Sequence, residues 1–133
     1  MEFIYEKLDV WQTAVDFGTK AMKFAGEKSE DQHLSTIMQG IQKGAMNVST
    51  AIAKGKGYPS KHDFAKHLYL ARGSVYETMT LLEILKRKKA ISDDQYTEFE
   101  EMGNKTAAML GGLIKSIYKP AESKEGDKNN RSK

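Results

Sequence analysis

Residues 52–77 read IAKGKGYPSKHDFAKHLYLARGSVYE, and the way this stretch parses decides the fold. Two glycines and a proline stand within five residues at Gly55-Lys56-Gly57-Tyr58-Pro59, a combination that does not continue a stable helix. Ser60 is the N-cap candidate for the next helix, and Asp63 sits where a carboxylate favours a helix start. From there Phe64, Leu68, Ala71, Val75, Thr78, Leu82 and Leu85 step by four and three, which draws one stripe down a helix over about residues 61–89. The stretch is therefore the end of one helix, a turn, and most of a second.

The same pattern extends in both directions. Leu34, Ile37, Ile41, Ala45, Val48 and Ile52 stripe a helix over about residues 30–54, opened by the capping-box form Ser29-Glu30-Asp31-Gln32. Ile4, Leu8, Trp11, Val15, Gly18, Met22 and Ala25 stripe a helix over about residues 5–26, with Gly26 expected in a left-handed C-terminal position. Ser92-Asp93-Asp94-Gln95 is a second capping box. It opens a helix to about residue 118, striped by Tyr96, Phe99, Gly103, Thr106, Leu110, Leu113 and Ile117 and stopped by Pro120. Four helices of similar length joined by short turns predict an all-α, antiparallel up-down-up-down four-helix bundle over residues 1–118. Residues 119–133 are expected to be a disordered polar tail.

Composition narrows the function. The 133 residues suit one domain with a real core. Without cysteine there is no disulfide, thiolate or zinc–sulfur chemistry. No signal-peptide pattern opens the chain and no run approaches the about 18 apolar residues of a membrane span, so a cytoplasmic protein is expected.

Candidate catalytic and metal-binding residues fare poorly. Glu30-x-x-His33 has the spacing of half a di-iron carboxylate site, but no second such pair exists. His62 and His67 are five apart and do not share a helix face. Gly55-Lys56-Gly57 follows a helix rather than a strand, so a phosphate loop is not expected. Ser74 has no histidine at helix-neighbour spacing to activate it. The methionines lie in or beside the stripes, where packing explains them. The expectation is no enzyme, no cofactor and no metal.

Charge is more informative. The net +3 conceals a segment, residues 43–89, with 10 basic and 3 acidic residues. Lys43, Lys54, Lys56, Lys61, Lys66, Arg72, Lys86, Arg87, Lys88 and Lys89 are its cations and the candidates for phosphate contact. Cations at a helix C-terminus also complement the helix dipole, so the run from Lys86 to Lys89 has a structural reading too. No recognition motif accompanies these cations, which implies little sequence specificity. The third helix also carries a second apolar face: Tyr69, Gly73, Tyr76, Thr80 and Ile84 fall opposite its core stripe, with Leu70 beside them. Surface aromatics are common, but a mid-helix glycine lets another backbone approach, so this face is expected to be a homo-oligomer interface.

Three segments resemble the four-helix-bundle family named for proteins encoded in intervening sequences of bacterial 23S ribosomal RNA genes. Leu8-Asp9-Val10-Trp11-Gln12 is similar to its opening Leu-x-Val-Trp-Gln, and Ile52-Ala53-Lys54-Gly55-Lys56-Gly57 to its Asn-Ile-Ala-Glu-Gly-x-Gly turn. Phe64 followed by Leu68-Tyr69-Leu70-Ala71-Arg72-Gly73-Ser74-Val75-Tyr76-Glu77 is similar to its Phe-x3-Leu-x-x-Ala-x-Gly-Ser-x-x-Glu helix. Leu113-Ile114-Lys115-Ser116 resembles the closing segment, so the likeness covers about residues 7–118. Ala51 and Lys54 depart from it, standing where the family usually has Asn and Glu. The family is in turn similar to the accessory variability proteins of diversity-generating retroelements, pentameric rings that bind nucleic acid and partner a reverse transcriptase. The resemblance implies a non-enzymatic homo-oligomer, a pentamer, that binds nucleic acid, RNA foremost, or serves as a scaffold for a reverse transcriptase.

Overall fold

The computed structural model describes residues 2–28 and 31–119. Four helices form it: α1 (Asp9–Glu27), α2 (Ser35–Lys56), α3 (Lys61–Arg87) and α4 (Asp93–Tyr118). Short 3-10 turns at Ile4–Lys7 and Gln32–Leu34 precede the first two. Consecutive helices pack together and α1 closes against α4, while the backbones of the diagonal pairs stay apart. The arrangement is a square four-helix bundle. Neighbours run antiparallel: Gly40 lies beside Leu81, Gly44 beside Thr78 and Gly55 beside His67, so α2 ascends as α3 descends. Gly103 beside Met79 and Gly111 beside Arg72 show the same for α3 and α4. No helix among the described residues is long and apolar enough to cross a membrane.

The α3 stripe is buried at all seven positions, Phe64 through Leu85. Its start is as expected, with the Ser60 hydroxyl accepting from the Asp63 amide at 3.3 Å. At α4 both halves of the capping box form, the Gln95 amide donating to Ser92 Oγ at 3.1 Å. Thr78 and Thr106 are fully buried, and each hydroxyl donates to the carbonyl four residues back, on Ser74 and Met102. The core therefore contains hydroxyls without leaving them unsatisfied.

The first helix differs from its expected form. It begins at Asp9 rather than near residue 5, because Leu8 is extended (φ −84°, ψ 120°) after the 3-10 turn. Its buried face is Val10, Ala14, Phe17, Gly18, Ala21, Phe24 and Ala25. Of the expected stripe, Ile4 and Met22 are exposed and Leu8, Trp11 and Val15 only half-buried. The two stripes share a spacing and lie about 100° apart. Gly18 and Ala25 belong to both, and the buried face adds the small residues Ala14 and Ala21. A Cβ at Gly18 would stand 3.2 Å from the Ala45 carbonyl oxygen, so α2 packs close to α1 there. Phe24 then meets Phe99 edge-on with ring centroids 5.7 Å apart. Leu8 and Trp11 pack on the flank of the core.

Two glycines also act differently from expectation. Gly26 lies inside α1 rather than in a left-handed cap, and no described glycine has a positive φ. Gly55 does not end α2, which continues to Lys56. It is buried where α2 and α3 converge, and a Cβ there would stand 2.5 Å from His67 Cβ. The left-handed residue is Lys89 (φ 62°). The Ala90 amide donates to the Leu85 carbonyl at 2.8 Å and the Lys89 amide to Lys86 at 3.0 Å, a Schellman ending for α3. The helix expected from about residue 30 begins instead at Ser35, with Leu34 at its N-cap after the 3-10 turn; Ser29 itself lies outside the described residues. In its neighbourhood the Asp31 carboxylate accepts from the His33 amide at 2.9 Å. The expectation of a disordered tail likewise falls outside them from residue 120 on.

Candidate nucleic-acid interface

The antiparallel order sorts the ten candidate cations into two groups. Lys54 and Lys56 end α2, and Lys61 and Lys66 begin α3, so these four share the α2–α3 end of the bundle. Lys86, Arg87, Lys88 and Lys89 occupy the opposite end of a 27-residue helix, about 40 Å away. Lys43, exposed on α2, and Arg72, half-buried on α3, lie between. A charged segment that looks continuous in sequence is thus divided between two ends.

The two ends are not electrostatically alike. At the far end the Arg87 guanidinium donates to Glu83 at 2.9 Å, and Lys86 Nζ stands 4.6 Å from the Tyr96 ring centroid. Tyr96 is buried and its hydroxyl donates to Glu83 at 2.9 Å. Burial first, then that hydrogen bond, pushes the Tyr96 phenol up to about 12. The Arg87 hydrogen bond, followed by that of Tyr96, holds the Glu83 carboxyl below its usual range. Asp93 and Asp94, in the first turn of α4, bring further acid to this end. At the α2–α3 end Asp63, in the first turn of α3, is the acid among the four lysines, and the antiparallel order brings Glu6 and Asp9 from the start of the chain to the same end. Lys54, Lys61 and Lys66 are exposed there with no ion pair among the described residues, as Lys88 and Lys89 are at the far end. Lys56 lies over the Phe64 ring at 5.2 Å.

Two features of this end escaped the sequence. The Tyr58 ring stacks on the His67 imidazole, centroids 4.9 Å apart and planes 28° from parallel. A carbonyl only accepts, so the 2.8 Å contact between His67 Nδ1 and the Asp63 carbonyl makes Nδ1 the donor and fixes the ring. Beside it a groove of about 310 Å³ runs between α2 and α3, lined by Asn47, Thr50, Ala51, Lys54, His67, Leu70 and Ser74. The readable signal was the matching spacing of 47, 50 and 54 on one helix with 67, 70 and 74 on the other. Ala51 and Lys54, the two departures from the family pattern, both line this groove. Across α3, the Tyr118 hydroxyl lies 3.4 Å from His62 Nδ1.

The outer face of α3 is open. Tyr69, Leu70, Tyr76 and Ile84 are 48%, 58%, 56% and 39% exposed, and Gly73 and Thr80 are exposed with them. A Cβ at Gly73 would meet nothing within 4 Å. The Arg72 guanidinium covers part of the Tyr69 ring at 5.1 Å. Among the described residues no three His, Asp or Glu side chains gather as a metal site.

A square antiparallel bundle with a lysine-rich end defines the class. The model of the family described as 23S rRNA-intervening sequence protein matches residues 6–112, and this chain belongs to that family. A crystal structure from the S23 ribosomal protein family of Bacteroides thetaiotaomicron, a protein whose own function is unknown, superposes with a TM-score of 0.76. That likeness covers 80% of this chain and 98% of the other at 21% identity, and it speaks for the fold alone. No curated protein matches.

Proposed function

We propose that this protein is a non-enzymatic homo-oligomer, a pentamer by its family resemblance, that binds RNA electrostatically with little sequence specificity. The observation that carries the reading is the α2–α3 end, where Lys54, Lys61 and Lys66 are exposed without an ion pair among the described residues. Charges held apart from carboxylates retain their attraction for phosphate and release condensed counterions on binding. Assembly is supported by the open apolar face of α3, and repetition around a ring would multiply a modest patch by avidity.

Affinity for a structured RNA measured against salt tests the reading. The expected result is binding at low salt that weakens linearly on a log–log plot. No binding at low salt, or binding indifferent to salt, refutes it. Light scattering tests the assembly, and a monomer at micromolar concentration refutes that part. A pull-down that recovers a reverse transcriptase and no RNA would favour the scaffold reading instead.

A further inference from the structure

We propose that the Tyr58–His67 stack is a platform for an unpaired nucleobase, with the adjoining α2–α3 groove receiving the strand, so that the ligand is single-stranded rather than duplex RNA. This rests on the nucleic-acid reading above and names the form of nucleic acid that the site takes.

Tyr58 is 46% exposed although one side of its ring is held against His67. Tyr58 therefore keeps nearly half of its surface open to solvent in the turn. It is also already ordered: the imidazole under it is fixed by the Asp63 carbonyl, so a base stacking there immobilises no further side chain. Every base has a π-face, whereas the faces of bases inside a duplex are already stacked on their neighbours and cannot reach a protein ring. An aromatic platform therefore selects unpaired nucleotides.

The surroundings suit the rest of the strand. Lys54 and Lys66 supply positive charge for the flanking phosphates, and Lys54 also lines the groove. His67 belongs to both the stack and the groove, which makes them continuous. Its Nε2 has no protein partner among the described residues, and the groove adds the Asn47 amide and the Ser74 hydroxyl. These groups can donate or accept toward a ribose hydroxyl or a base edge.

The test is titration of the full chain with an oligo(U) RNA of about 12 nucleotides and with a duplex RNA of the same length, at low salt. The single strand is expected to bind more tightly. Tyr58→Ala should weaken that binding roughly 5- to 150-fold, and Tyr58→Phe should restore it to within about 2-fold. Thermal unfolding by circular dichroism separates a lost platform from a lost fold. If Tyr58→Ala does not fold, Tyr58→Trp provides the readout: its indole fluorescence, above the Trp11 background of the parent chain, should be quenched as the oligonucleotide binds. Oligo(U) binding without quenching, or with no loss in a folded Tyr58→Ala, overturns the platform while leaving the RNA reading standing. Duplex bound as tightly as single strand overturns it as well. Failure of both RNAs to bind at low salt removes the RNA reading and the platform together.

Discussion

Gly55 shows how a single missing Cβ positions a site. Its hydrogen lets α3 approach until His67 Cβ occupies the space a side chain would need. Gly55→Ala must push the helices apart or bend one, an overpacking change expected to cost about 1–3 kcal/mol. Urea unfolding measures the loss, and an unchanged midpoint would contradict the close approach. Tyr96 makes a different kind of prediction. Its phenol is pushed up to about 12 from 10.0, so the neutral form is the one the fold favours. That contribution is whole below pH 10 and is lost as pH rises through about 12, amounting to on the order of 2–3 kcal/mol. Stability should therefore fall more steeply with rising alkalinity in the parent chain than in Tyr96→Phe. Equal slopes would show that Tyr96 does not carry the effect.

Among the elements, α3 is the most legible in sequence and α1 the least. Every expected core position of α3 is buried, although Ala65 and Met79 on one flank and Leu70 and Leu81 on the other carry apolar surface between the core stripe and the outer face. In α1 two stripes of equal spacing lie side by side, and the choice depends on contacts with other helices, such as that of Phe24 with Phe99. The Tyr58–His67 stack was hidden for the same reason. Spacing along one helix cannot reveal a ring brought in from a turn by the convergence of two. The lysines could be counted in advance, and the expected helix over residues 61–89 already set Lys61 and Lys66 at one end and Lys86 to Lys89 at the other; what each group packs beside needed the structure. The outer face of α3 gives the test at this scale. Nothing surrounds Gly73, so Gly73→Ala should stabilise the isolated bundle by about 1 kcal/mol through helix propensity. If neighbouring subunits meet there, the same methyl should weaken assembly. Light scattering and thermal unfolding on one sample resolve the two effects, and tighter assembly in the variant would contradict the interface.

For the whole molecule, antiparallel packing divides the lysine-rich segment between the two ends of the bundle. Lys54→Gln with Lys66→Gln should lower RNA affinity and reduce the salt slope by about 1–2. Lys86→Gln with Lys88→Gln should do less, because acidic residues at the start of α4 accompany that run and Tyr96 lies beneath Lys86. Binding isotherms at several salt concentrations compare them. Equal losses would mean that both ends meet RNA.

The left-handed backbone at Lys89 sets backbone stability against surface charge at one position. A residue with a Cβ is disfavoured there by roughly 1–2 kcal/mol, and glycine would complete the same Schellman ending without that cost. Lys89→Gly should raise the melting temperature while removing a cation from the surface. The native chain is thus less stable at this turn than its own backbone allows. A thermostabilised version obtained by relieving that residue would be an improved bundle with a weaker electrostatic field.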